Sequence, residues 1–202
     1  MMYDHLGVGI VLDLIPTDIP LKVLDIGSGY GYWGYILKAY LEYEPTIWGI
    51  EVNPKCIRRL KRLGIYDFII EGNANSHDLW AINNYNLAIL SHFVEHIKKK
   101  EALDLISILK TKCDQIIIVC PEGDAICEND EIGFSHLSKW TKKDFEKIGM
   151  QSLQLALSHR AGRVVSQFER LYFKLKGLTR WGILIAWWNQ SSEAKAKWEK
   201  IE

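Results

Sequence analysis

Short apolar runs that end in a polar or acidic residue recur along this chain, and between them apolar positions return at three- and four-residue spacing. The runs Lys22 to Asp25, Thr46 to Glu51, Phe68 to Glu71, Leu87 to Ser91 and Gln115 to Cys120 are short and rich in Ile, Leu and Val. That pattern predicts strands buried on both faces rather than helices. The intervening segments Gly31 to Glu42, Pro54 to Leu63 and Lys100 to Thr111 predict helices, the second opened by Pro54. Alternation of this kind predicts an α/β architecture: a mainly parallel sheet covered by helices on both faces, with ligands at the carboxyl ends of the strands.

The two ends of the chain depart from this regularity. Tyr3 to Leu14 has a helical pattern that stops before Pro16, which predicts a lid or packing helix ahead of the sheet. Thr141 followed by Asp144 predicts a capped helix ending near Gly149, and Ser152 to Ser158 a strand. Val164, Val165, Phe168, Leu171, Tyr172 and Leu175 recur at helical spacing, so Arg163 to Lys176 is expected to form an amphipathic helix before a last strand at Gly182 to Trp188. A length of 202 residues predicts one domain. It divides into an N-terminal helical segment (1–20), a ligand-binding core (21–150) and C-terminal strands with a helical insertion (151–202).

Composition narrows the class further. The chain is 48% hydrophobic, enough for one substantial core, yet no apolar run approaches the ~20 residues that cross a bilayer. No secretory pattern opens it, so a cytoplasmic location is expected. Cys56, Cys113, Cys120 and Cys127 contain no close CxxC pair, which predicts free thiols and no metal site. The formal net charge is zero, but Met1 to Ser138 carries 12 basic and 19 acidic residues while Lys139 to Glu202 carries 13 and 6. Such asymmetry suits either an acidic partner or a solvated helix surface. Without a dense Lys/Arg run or an RNA-binding motif, a nucleic-acid partner is not expected.

The chemistry concentrates in Val23 to Gly34, VLDIGSGYGYWG. A strand runs into Gly27, Gly29 and Gly31 and then into a helix, a loop whose backbone can approach an anionic ligand group closely. Read as a dinucleotide fingerprint, one register places Tyr32 where a small residue is needed, and the other carries the strand through Asp25 and Gly27. An acid at the strand tip, Asp25, suits S-adenosylmethionine better, because a carboxylate can accept from its ammonium group directly or through water. Glu51, at the end of the second run, can accept two hydrogen bonds from a ribose diol, a role that adenine dinucleotides share. The third run leads into Gly72, Asn73 and Ala74, where a short polar side chain can meet an adenine amino group. The fourth leads into HisPheValGluHisIle, His92 to Ile97.

These features, in this order, resemble the class I S-adenosylmethionine-dependent methyltransferases, and in particular the broad group whose fourth strand enters a "leu-glu-his" turn. The resemblance covers roughly Leu21 to Met150. Gly29 to Leu37 and His136 to Phe145 resemble an uncharacterised bacterial and archaeal subset often found in sugar or cell-envelope gene neighbourhoods. It implies a single-domain Rossmann-like fold with a mainly parallel seven-stranded sheet and an antiparallel last strand. The cofactor implied is S-adenosylmethionine, bound by Asp25, Gly27, Ser28, Gly29, Tyr30, Gly31, Glu51, Val52, Gly72, Asn73, Ala74 and Ser91. In two places the chain departs from the group: Asn73 and His92 stand where an acid is frequent.

The reaction implied is displacement at a methyl group activated by positive sulfur, on an oxygen or nitrogen of a small-molecule or sugar-containing acceptor. His136, His96 and His92 are the candidate bases, since imidazole titrates near neutral pH. Ser138 and Trp140 are the candidate acceptor contacts, and Tyr30 and Trp140 the aromatic planes expected near the pocket. Two other readings stay open: an S-adenosylmethionine-binding interaction module without catalysis, and an NAD-dependent oxidoreductase. Oligomeric state is not legible.

Overall fold

The structure, a computed structural model, describes residues 7–75, 84–123, 135–156 and 182–190. Helix α1 (Val8–Leu14) precedes β1 (Lys22–Ile26), α2 (Tyr32–Tyr40), β2 (Thr46–Glu51), α3 (Pro54–Leu63), β3 (Phe68–Glu71) and β4 (Tyr85–Ser91). A single 3-10 turn, Val94–His96, separates β4 from α4 (Lys99–Lys112). Strand β5 (Cys113–Pro121), α5 (Lys142–Lys147), β6 (Gln151–Ala156) and β7 (Gly182–Asn189) complete the order. All of the strands and core helices expected from the pattern of apolar positions are present. The expected helix over Arg163 to Lys176 lies outside the described residues, as does Cys127.

Seven strands form one sheet in the order β3-β2-β1-β4-β5-β7-β6. The first five pair in parallel, while β7 runs antiparallel to both β5 and β6. Alternation within each strand divides the core between the faces of the sheet. Leu24, Ile26, Ala88, Leu90, Ile116, Ile118 and Leu184 face α4 and α5 through Ala102, Leu105, Leu109 and Phe145. Val23, Leu87, Ile89, Ile117, Val119 and Ile185 face α1, α2 and α3 through Val11, Leu14, Trp33, Leu37 and Leu60. Because both faces are covered, the central strands read as continuous apolar runs in the sequence.

Helix α1 is a packing helix in its described part. Val11 and Leu14 are buried, and the Leu14 carbonyl accepts a hydrogen bond from Gln115 Nε2 of β5 at 2.8 Å. Helix α3 shows both end signals: the Asn53 side chain accepts from the Lys55 N–H, Pro54 occupies the first turn, and Gly64 closes the helix in the left-handed region. Thr141 and Asp144 form the expected capping box at α5. Chain order changes direction between β1 and β4, which opens a crevice at the carboxyl ends of these strands, the usual ligand position in open α/β sheets.

Candidate functional site

The loops after β1, β2, β3 and β4 and the segment before α5 meet at that crevice. The first, between β1 and α2, turns through Gly27, Gly29 and Gly31 at φ of 73°, 52° and 87°. The Gly27 and Ser28 N–H groups both donate to the Ile50 carbonyl of β2, and the Gly31 N–H to the Ser28 carbonyl, which fixes the turn. A Cβ built on Gly27 would come within 2.7 Å of the Phe93 ring, so this glycine is required by packing against the loop after β4. At Gly29 the same atom would meet nothing nearer than the Gly27 carbonyl oxygen at 3.8 Å. Its left-handed backbone therefore borders open space, the arrangement that lets a ligand approach a main chain.

Glu51, at the end of β2, is buried, and its carboxylate binds the protein itself. Oε2 accepts from the Gly29 N–H at 2.7 Å, and Oε1 from the Val52 and Asn53 N–H groups at 2.8 Å. A carboxylate has about four acceptor positions. Three are taken, which leaves one, on Oε2, in place of the two expected for a ribose diol. Val52 beside it is half exposed, and the Gly72 N–H ties the start of the next loop to the Glu51 carbonyl. In that loop Asn73 Oδ1 accepts from the Asn75 N–H at 3.0 Å and Ala74 is buried.

Asp25 lies beneath the glycine turn rather than open to it, a position that argues against the direct one of its two expected routes to an ammonium group. The residue is 2% exposed, and its carboxylate accepts a 2.5 Å hydrogen bond from the Tyr66 hydroxyl. The same hydroxyl accepts from the Gly34 N–H of α2 at 3.2 Å. Burial pushes the Asp25 carboxyl up to about 7; the Tyr66 hydrogen bond opposes that rise and the neighbouring Glu51 charge adds to it. A tyrosine between α3 and β3 carries no sequence pattern that singles out Tyr66. The signal that points to it is glycine: a Cβ at Gly34 or Gly49 would come within 2.6 or 2.8 Å of the Tyr66 ring.

The second group of loops holds the imidazoles. Beyond Ser91, which is half-buried at the end of β4, His92 adopts φ 49° and donates its N–H to the Val119 carbonyl at 2.8 Å. A non-glycine residue in this region is uncommon and recurs at functional sites. His92 Nδ1 lies 3.2 Å from Glu95 Oε1, and Glu95 is only 1% exposed. The Glu95 carbonyl accepts from Leu137 and Ser138 N–H groups at 2.7 and 3.1 Å, binding the segment before α5 to the turn after β4. His96 and His136 thereby come together edge-to-face, ring centroids 5.0 Å apart. His136, far from the other two in sequence, thereby shares one corner of the crevice with His92 and His96.

Trp140 and Ser138, expected to touch an acceptor, are instead structural. Trp140 is fully buried, stacks on Phe145 at 4.9 Å, and donates from Nε1 to Ser138 Oγ at 2.9 Å. Ser138 Oγ in turn donates to the Val94 carbonyl at 2.8 Å. An indole that packs against a short helix and satisfies its N–H internally belongs to the core, and here it holds the His136 segment in place. Tyr30 is 37% exposed, but the Arg59 guanidinium covers its ring at 4.9 Å.

A seven-stranded sheet of this order, with β7 antiparallel and a glycine turn at the reversal of strand order, is the Rossmann-like fold of class I methyltransferases. The plantazolicin methyltransferase BamL, solved with a triazolic desmethylPZN analog and SAH, is similar over 90% of this chain and 82% of its own, at TM-score 0.59 and 16% identity. BpumL, a plantazolicin methyltransferase solved with SAH, gives 0.58 at 18% identity over 88% and 78%. Magnesium protoporphyrin IX methyltransferase (ChlM) from Synechocystis, with bound SAM, gives 0.55 at 16% identity over 89% and 77%. No family model and no curated protein sequence matches the chain.

Proposed function

We propose that this chain is an S-adenosylmethionine-dependent methyltransferase acting on an oxygen or nitrogen of a small-molecule or carbohydrate-like acceptor. The observation that carries the reading is the open left-handed turn at Gly29, hydrogen-bonded to Glu51 where β1 and β2 end. Solved examples of this fold hold SAH or SAM.

In this reading the Gly27–Gly31 turn receives the methionine part of the cofactor, with Tyr30 on its rim and Ser28 contributing main chain, its hydroxyl donating inward to the Asp25 carbonyl at 2.9 Å. The remaining acceptor position on Glu51 Oε2 takes one ribose hydroxyl. Val52 flanks the adenosine, and Gly72, Asn73 and Ala74 border the adenine. Asp25 acts through Tyr66 and the loop, as a positioning residue. Ser91, at the end of β4, borders the cofactor, and the histidines after β4 and before α5 form the acceptor side, adjacent to the cofactor because Phe93 packs on Gly27. The protein aligns the nucleophile with the methyl–sulfur bond and excludes water, and His92, His96 or His136 receives the acceptor proton where one must leave. Trp140 and Ser138 hold that side rigid.

Calorimetry of the full chain with S-adenosylmethionine, S-adenosylhomocysteine and NAD tests the reading. Binding of the first two, followed by methyl release to hydroxylated and amine acceptors, is expected. Binding of NAD alone would replace this reading with that of an oxidoreductase.

A further inference from the structure

We propose that Glu95, His96 and His136 form a binding site for one divalent transition-metal cation. One ligand atom from each of these residues lies within 4.8 Å of the others. Metal–ligand distances of about 2.0–2.2 Å put neighbouring ligand atoms of a tetrahedral site about 3.3 Å apart, so closure needs shifts on the order of 1 Å. Both imidazoles are half-buried.

Glu95 is the centre of the argument. Its carboxylate is buried, and among the described residues neither oxygen accepts a hydrogen bond of normal geometry. A buried carboxylate needs a compensating charge. His92 Nδ1 at 3.2 Å offers a single positive charge when protonated. A divalent cation held by Glu95, His96 and His136 supplies two and leaves His92 as an outer partner that orients the carboxylate. The scaffold is already rigid, because the Glu95 carbonyl anchors Leu137 and Ser138 while Ser138 and Trp140 both donate to the Val94 carbonyl. Two imidazoles and one carboxylate favour zinc, manganese, iron or cobalt over magnesium or calcium, which take oxygen ligands. Cysteine spacing held no trace of this site, because its ligands come from two loops about forty positions apart.

Three protein ligands leave a coordination position for an acceptor oxygen, a role that rests on the methyltransferase reading. In this arrangement His96 and His136 act as ligands instead of bases, and a hydroxyl bound in the open position has a lowered pKa and gives its proton to water. Its oxygen lone pair then forms the new carbon–oxygen bond, the methyl–sulfur bond of the sulfonium donor breaks, and sulfur keeps that electron pair. This step favours oxygen over nitrogen acceptors.

The test is titration of the chelator-treated, full-length protein with Co²⁺, followed by visible absorption, together with zinc calorimetry. One equivalent of Co²⁺ with the intense bands of four- or five-coordinate geometry is expected. His96→Ala and His136→Ala should each weaken affinity about tenfold or more. His136→Cys should add a thiolate-to-cobalt charge-transfer band, a gain of signal that loss of folding cannot imitate. Absence of stoichiometric binding overturns the site and leaves a Glu95–His92 ion pair. Wild-type affinity in folded His96→Ala and His136→Ala, or a cobalt spectrum of His136→Cys without the new band, overturns it too. Calorimetry of metal-free protein with S-adenosylhomocysteine separates the two proposals: cofactor binding without metal binding removes only the metal site, and metal binding without cofactor binding removes only the methyltransferase reading.

Discussion

Replacing Glu51 by Gln removes one carboxylate oxygen while keeping shape. The amide oxygen can take the place of Oε1 and keep the Val52 and Asn53 hydrogen bonds as neutral ones. The amide nitrogen then faces the Gly29 N–H, donor against donor. One hydrogen bond to a charged acceptor, worth about 1.5–3 kcal/mol, is lost, and two more weaken by roughly 1 kcal/mol each. After local relaxation the loss of stability should be about 3 kcal/mol, or roughly 6–12 °C in melting temperature for a chain of this size. The glycine turn loses its anchor together with the acceptor left for a ribose hydroxyl. Affinity for S-adenosylhomocysteine should therefore fall roughly ten- to a hundredfold. Urea unfolding followed by circular dichroism reads the first effect, and calorimetry well below the melting temperature reads the second. Glu71→Gln is the control: it ends β3 in the same way, but its partner is the exposed Lys61, so both quantities should stay close to wild type. If Glu51→Gln unfolded like Glu71→Gln and bound S-adenosylhomocysteine like wild type, the carboxylate would neither hold the turn nor face the cofactor.

Three further outcomes follow from the same region. Gly29→Val should leave a folded protein, destabilised by about 1–2 kcal/mol for its left-handed backbone, yet abolish S-adenosylhomocysteine binding, because its side chain enters the open space beside the turn; undiminished affinity by calorimetry would take the turn out of the site. Gly34→Ala, 2.6 Å from the Tyr66 ring, should lower stability by about 1–3 kcal/mol in urea, and Gly34→Ala combined with Tyr66→Ala should recover part of the loss through space vacated at the contact; no coupling between the two would refute the packing argument. Asp25, raised from 3.8 to about 7 by burial, holds its proton in the folded state while the unfolded chain has already released it. Its contribution is therefore most favourable at low pH and declines between about pH 4 and 7, by at most roughly 4 kcal/mol, and Asp25→Asn should flatten that part of the pH–stability profile; parallel profiles would show the carboxyl to be ionised in the folded protein.

The strands and helices of this protein were legible in its sequence because the sheet is covered on both faces. Burial on two sides gives β4 and β5 the apolar runs Leu87 to Leu90 and Ile116 to Cys120, and each helix between the strands shows a single apolar stripe. The glycine turn was legible for a local reason too, since left-handed backbone at Gly27, Gly29 and Gly31 demands a residue without Cβ. What a side chain does once folded was decided elsewhere. Trp140 has the same sequence signature as a stacking platform, and only the position of α5 makes it core. Glu51 ends a strand as an acid should, but the approach of the Gly29, Val52 and Asn53 N–H groups fills three of its acceptor positions. Tyr66 reaches Asp25 across forty-one positions, and His136 reaches Glu95 and His96 across a similar gap. Periodicity records which residues are buried; it does not record which buried polar groups meet, because that depends on how the loops of non-neighbouring strands converge at one end of the sheet.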